Sequence, residues 1–467
     1  MTSPTTPRRL RSGPPARHAS VQIRGGARLA GEVAADGMEA AAVAMLAAAA
    51  AANRPVDLHG VPQSADVEIM QWLISRCGRS VSAFDRATTI APGRHPETEP
   101  DLSKAADLFE ACYLITPMLA RVGRIRLPWP AETSAFPRLE AVLRVHAAFG
   151  DNIETSAAGY TVTVGEPPRV VRITLTDQPS ATVAALLRAQ AAGTSLIIDG
   201  VDSSPAVLGV LAALNAQGGS TASANAETVQ LTPIPSRAAA SSLRWFVPPD
   251  LLQTATLACA LAATGGSGAV VDAAGLRALI NVLERAGVRI QARGGRLTVN
   301  GSAPTRPRTR AVGVRLCGDD GTLVPPDLEP LLLVMSLMRP GTHLADRGVV
   351  ERHAVLIRQL GRLGAAIDLP EGIARIRGPQ HLSCASVAAR TAGDLAALTV
   401  AALTAQGVTT LHYRPASWSA FPATLAKIAE LGGPAPPDPL ISAVPPRGER
   451  PTTNPPNLRI STTGAPR

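Results

Sequence analysis

DGMEAAAVAMLAAAAAANRPV, residues 36–56, admits three readings: a membrane anchor, a low-complexity spacer, or the first helix of a larger fold. Its apolar core, Ala40 to Ala52, is 13 residues long before Asn53 and Arg54 interrupt it. A helix that crosses a bilayer needs about 20. The run is therefore too short for an anchor. A helix apolar around its whole circumference belongs in an interior, packed closely through small side chains. Glu39 is the acid at the mouth of the apolar run.

The pattern recurs, and this excludes the spacer reading. A small-residue helix, a short β-branched strand (PVDLHGV), an amphipathic helix (DVEIMQWLISRCG) and a second strand (RSVSAF) form the first unit. Later copies open at DLSKAADLFEACYLITPMLARVGRIRLPW, SATVAALLRAQAAGTSLIIDGV, VPPDLLQTATLACALAATGGSGAVV, VPPDLEPLLLVMSLMRPGTHL and TAGDLAALTVAALTAQGVTTLHY. Each of the six spans roughly 65 to 80 residues, too long for a solenoid rung. Three units around shared buried helices make one lobe, so six predict an α/β protein of two lobes. The first lobe is expected over 36–231 and the second over 20–35 plus 240–433. The proline-interrupted stretch 232–245 serves as linker, and the leader 1–19 and the Pro-rich tail 434–467 are expected to be disordered.

Composition narrows the function. Of 467 residues only 3% are aromatic, too few for base-stacking platforms. The net charge is +9, and it is carried by arginine, since Lys104 and Lys427 are the only lysines. Part of the excess lies in Arg8, Arg9, Arg11 and Arg17 and in RPRTRAVGVR at 306–315, which read as a solvated lead and connector rather than a nucleic-acid arm. Five scattered cysteines without a CxxC pair, and eight histidines without HExxH spacing, give no metal or disulfide pattern; no cofactor is expected. No apolar segment follows the N-terminal arginines, so the expectation is a cytoplasmic protein. TGGSGA at 264–269 lacks the Lys-Ser or Lys-Thr of a phosphate loop and reads as a turn.

The stretches IRGGARLAGEV, GVPQSADVEIM, PMLARVGRIRLP, VPPDLEP and RQLGRLGAAI resemble the enolpyruvyl (carboxyvinyl) transferases, more specifically those acting on UDP-N-acetylglucosamine. The resemblance covers most of 21–433 and implies the two-lobed inside-out α/β prism of that family. It also implies transfer of the carboxyvinyl group of phosphoenolpyruvate to a hydroxyl of a nucleotide sugar bound in a cleft between lobes. Such chemistry requires a base for the hydroxyl, an acid for the vinyl carbon and a cationic nest for phosphate and carboxylate.

Carried over residue by residue, the base of the family's FPTDLQP-type motif falls on Asp327 of VPPDLEP. Asp327, and Asp250 in the matching VPPDLL, are also expected to cap the helices that follow. At the place of the family's acidic cysteine stands Ala131, inactive in that role, with Glu132 next to it as a weak substitute acid. The family's Lys-Asn pair falls on Glu39 and Ala40, and its arginines fall near Phe109, Phe136, His353, Gly393 and Ser419. Arg24, Arg121, Arg124, Arg352 and Arg390 are the arginines close enough in sequence to take over substrate binding, with surface ion pairs as their competing fate. Two functions follow. One is a divergent transferase using Asp327 as base on a nucleotide- or sugar-like hydroxyl compound in specialised metabolism. The other is a catalytically degenerate paralogue kept for binding or scaffolding. Either takes a small-molecule partner and neither a membrane; the sequence does not fix the oligomeric state.

Overall fold

The computed structural model describes residues 19–93, 100–201, 204–217, 220–223, 228–232, 242–273, 277–285, 288–302, 312–313, 324–415 and 418–434. The leader up to residue 18, most of the expected linker, nearly all of the arginine-rich connector and the tail from 435 lie outside these residues. The chain divides into two compact units, one of 1–34 with 251–449 and one of 35–250 with 450–467.

In the 35–250 unit the decisive stretch is the helix Glu39–Ala51, with Ala41 to Ala50 all buried. Two more helices, Ile115–Val122 and Pro179–Ala192, share its interior. The helices Ala65–Arg76, Phe136–Ala148 and Pro205–Ala216 flank them. Three sheets are wrapped outside. Their strand orders are Leu243–Phe246, Val56–His59, Ala87–Pro92, Arg79–Phe84; then Arg124–Pro128, Gly159–Thr163, Asn152–Ser156; then Ser220–Ser223, Thr228–Thr232, Ser195–Asp199, Val170–Thr174. Alternating burial along Val56–His59 and Arg124–Pro128 turns one face of each strand to the helices.

Alanine is what such an interior requires. Gly209 of the Pro205–Ala216 helix lies so close to the first helix that an added Cβ would meet Met45 Sδ at 3.1 Å and the Ala41 Cβ at 3.2 Å. Gly209→Leu is therefore expected to cost about 1–3 kcal/mol by overpacking, read as a lower urea midpoint. An unchanged midpoint would mean that Met45 yields freely.

A buried ionic group also ties this unit together. Asp151 accepts Arg188 Nε at 2.8 Å and Nη2 at 2.7 Å, His146 Nδ1 at 2.9 Å, and the Gly165 amide at 3.2 Å. All three side chains are buried, and His146 Nε2 is left without a partner. Burial pushes the His146 imidazole below its ordinary value, and the Asp151 hydrogen bond and charge offset this only in part. Burial alone would raise Asp151, but the hydrogen bonds and charges of Arg188 and His146 outweigh it and hold the carboxyl low.

The other unit repeats the plan with Leu251–Ala263, Glu329–Met338 and Ala392–Thr404 buried at its centre. Its sheets run Arg289–Arg293, Arg296–Asn300, Ser267–Val271, Ala30–Ala34; Val312–Gly313, Gly341–Ala345, Ala374–Gly378, Ile367–Asp368; and Ala19–Arg24, Val408–Tyr413, Ser386–Ala388. The N-terminal strand pairs antiparallel with the last one, Ala19 opposite Tyr413. Among the described residues no helix is long and apolar enough to cross a membrane.

The crossover comes later than the composition of 232–245 suggests. Leu243–Phe246 pairs in parallel with Val56–His59, so residues 243–250 pack with the first lobe rather than the second. Ladder hydrogen bonds outweigh local composition there. The amides of Gly37, Met38 and Asp250 then bond Gly60 O, Pro248 O and Asp36 O at 2.9, 2.7 and 2.7 Å, which sets where the first helix begins.

Candidate functional site

At the mouth of the Glu39–Ala51 helix the 35–250 unit gathers acids. Glu39 occupies the first turn. Ser64 Oγ accepts the Val67 amide and starts the Ala65–Arg76 helix, placing Asp66 in its first turn. Glu110 comes from the short turn Phe109–Leu114. Burial, then the charges of Glu39 and Glu110, a hydrogen bond with Glu39 and the charge of Glu132 push the Asp66 carboxyl up to about 6. Two carboxyls this close cannot both ionise cheaply, so Asp66 keeps its proton to higher pH than an ordinary carboxyl. Glu110 is likewise raised by burial, against the pull of a backbone hydrogen bond and Arg138. Among the described residues no three His, Cys, Asp or Glu side chains are placed to hold an ion.

Around these acids the side chains are aromatic. The Arg138 guanidinium lies 4.1 Å from the Phe109 ring centroid, and Trp129 packs at tilted angles against Phe136 and Tyr160, with centroids 5.7 and 5.5 Å away. Ala131 is exposed, its amide held by Ala106 O at 2.9 Å. Glu132, also exposed, joins the group through its charge on Asp66. Glu39 and Glu132 are thus brought into one neighbourhood, together with Asp66, Glu110 and Arg138, which sequence reasoning missed.

The arginines go elsewhere. Arg121 donates to Cys77 O at 2.9 Å and Gly78 O at 3.4 Å, at the end of the Ala65–Arg76 helix. Arg79 does the same for the first helix, through Ala50 O at 2.7 Å and Ala52 O at 2.5 Å. In the other unit Arg339 closes the Leu251–Ala263 helix through Ala262 O at 2.8 Å and also binds Gly301 O at 3.1 Å. A guanidinium at a helix C-terminus satisfies orphan carbonyls and faces the negative end of the dipole. Arg124 is exposed and, with Arg126, lines an open cavity of about 320 Å³ walled by Pro100, Leu102 and Pro128.

In the 251–449 part, Asp327 lies in a short turn, Pro326–Leu328, just before the Glu329–Met338 helix. The expected cap does not form. Pro325 and Leu328 take the capping positions without a side-chain bond, and the exposed Asp327 carboxylate has no protein partner among the described residues. Asp327 lies inside the first turn instead of ahead of it. Asp250 does directly precede Leu251–Ala263 and is buried. Gly393 abuts the Asp327 turn: a Cβ there would meet Asp327 O at 2.6 Å.

Two residues on, Glu329 is buried and fully engaged. Arg352 Nη2 meets Oε1 at 2.7 Å, Arg352 Nε meets Oε2 at 3.1 Å, and His353 Nε2 meets Oε2 at 2.7 Å. Arg390 is exposed; its amide donates to Asp394, whose own amide is capped by Thr391 Oγ1. Arg24 is exposed at the end of the strand Ala19–Arg24.

Two units, each with buried helices inside three small sheets, and Asp327 at the head of one such helix, have a carboxyvinyltransferase-like fold. The sequence profile of the EPSP synthase (3-phosphoshikimate 1-carboxyvinyltransferase) family matches residues 23–425, and the chain belongs to that family. It is 28% identical over 396 residues to a UDP-N-acetylglucosamine 1-carboxyvinyltransferase of Desulfatibacillum aliphaticivorans, covering 84% of this chain and 92% of the relative. A namesake from Pseudothermotoga lettingae is 27% identical over 406 residues, covering 84% and 92%. Among solved structures, the enolpyruvyl transferase NikO from Streptomyces tendae superposes with a TM-score of 0.68 at 20% identity, over 90% of this chain and 98% of that one. An EPSP synthase from Acinetobacter baumannii gives 0.71 at 16%, over 90% and 99%. These likenesses show the fold.

Proposed function

We propose that this family member binds a hydroxyl-bearing, nucleotide- or sugar-like ligand and does not transfer a carboxyvinyl group from phosphoenolpyruvate. The observation that carries the reading is the carboxyl group of Glu39, Asp66 and Glu110, with Asp66 raised to about 6. Phosphoenolpyruvate brings about three negative charges near neutral pH, and each unpaired ion costs several kcal/mol to desolvate. A neighbourhood that already resists ionising its own carboxyls opposes such a donor. The relatives' names point to UDP-N-acetylglucosamine as the ligand type to try first.

The test is phosphate release from phosphoenolpyruvate with a panel of UDP-sugars, alongside calorimetric titration of the same sugars. The expected outcome is sugar binding without release. One observation favours the second reading, a working transferase: Asp327 is exposed, unpaired and in the family's motif. Phosphate release that disappears in Asp327→Ala would establish it and end the first reading.

A further inference from the structure

We infer that Glu329 holds His353 as a hydrogen-bond acceptor for a hydroxyl of the ligand, at the head of the Glu329–Met338 helix. The inference rests on the hydroxyl-ligand reading above and names the group that meets it.

Every donor around Glu329 is accounted for. Arg352 fills one oxygen and shares the second with His353 Nε2, at 2.7, 3.1 and 2.7 Å. A buried carboxylate only accepts hydrogen bonds, so the contact at 2.7 Å places the imidazole hydrogen on Nε2. In the neutral ring Nδ1 then carries the lone pair. No protein group among the described residues bonds Nδ1, nor is it among the buried atoms that lack a partner, and the side chain keeps 12% exposure. The acceptor is open to solvent while the rest of the ring is held.

An ion pair alone would not need this arrangement. Arg352 already neutralises Glu329 with two bonds, and a third donor adds nothing that a serine could not supply. What only imidazole adds is a second basic nitrogen, oriented by the carboxylate behind it. Asp327, two residues ahead of Glu329, presents another unpaired acceptor at the same helix end. Two fixed acceptors suit a polyol or sugar, which offers neighbouring O–H donors, better than an anion. Glu329 is a positioning residue here; His353 is the group that would touch ligand. In sequence the pair is written as VPPDLEP, with Glu where the resembled motif has Gln, and as a histidine near a family arginine.

The experiment uses the full chain with histidine-labelled ¹⁵N spectra and calorimetric titration of UDP-N-acetylglucosamine. In the wild type His353 should show a protonated Nε2 and a bare Nδ1. Glu329→Gln keeps the shape, but its amide can donate to Nε2 and drive the hydrogen to Nδ1. The sugar nucleotide should then bind about tenfold more weakly, the loss of one ligand hydrogen bond. His353→Leu, which leaves the Glu329–Arg352 pair in place, should give the same loss. A wild-type proton on Nδ1, or equal affinity in the wild type and both variants, overturns the inference. Failure of the wild type to bind the sugar nucleotide rejects the proposed function instead, and the tautomer then decides the present point alone.

Discussion

Arg188→Met should lower the unfolding free energy by about 3–5 kcal/mol, because it strands the Asp151 carboxylate in the interior with two of its four donors gone. The cost is that of an uncompensated buried charge. A triple replacement, Arg188→Met with Asp151→Leu and His146→Phe, should recover most of the loss, since well-packed apolar groups of similar volume replace buried ions at little net cost. Urea unfolding of both variants checks this, and a triple variant no better than the single one would rule out the charge explanation. The acid side offers an independent reading. His146 and Asp151 both have folded values below their unfolded ones. For each, the stabilisation is complete above the unfolded value and disappears as pH falls toward the folded one. Wild-type stability should therefore begin to decline below about pH 6.5, the histidine part first, and His146→Phe should remove that early onset.

Glu39→Lys is expected to bring the Asp66 midpoint down from about 6 toward its ordinary 3.8. After burial, the leading causes of the raised value are the neighbouring carboxylates, and this change turns one of them into a cation. The pH dependence should weaken with it. In the wild type the protonated Asp66 stabilises the fold fully below its unfolded value of 3.8, and that contribution is lost as pH rises through about 6. In the variant that loss of stability with rising pH should shrink. Asp66 is half-buried, so hydration trims the swing to about 1–2 kcal/mol. Carboxyl ¹³C titration reads the midpoint directly. An unmoved midpoint would mean that burial alone raises Asp66, and it would remove the main support for donor rejection.

Much of this architecture could be read from the chain because its signals are local. A helix apolar on all sides has one place to go, and Ala41 to Ala50 went there. The first glycine of TGGSGA, Gly265, follows its helix in the left-handed conformation, as the sequence suggested. What stayed hidden depends on reach across the fold. Arg121 was legible as an arginine near the family's loop, but its bonds to Cys77 O and Gly78 O join segments far apart in sequence. The same holds for Glu329 with His353 and for Asp66 with Glu39, where neither partner signals the other. Asp327 failed as a cap although Asp250, in the same VPPD tetrapeptide, directly precedes its helix, so that tetrapeptide alone does not set where a helix starts.

The pairing of Ala19–Arg24 with Val408–Tyr413 has a consequence for how the chain is made. Residues 35–250 are contiguous, so that unit has all of its strands once Phe246 has emerged. The opening strand must wait for a partner translated near the end. At 5–20 residues per second the delay is on the order of tens of seconds. During it an unpaired edge is exposed to other nascent chains, which makes the first two dozen codons a natural place for a chaperone to act.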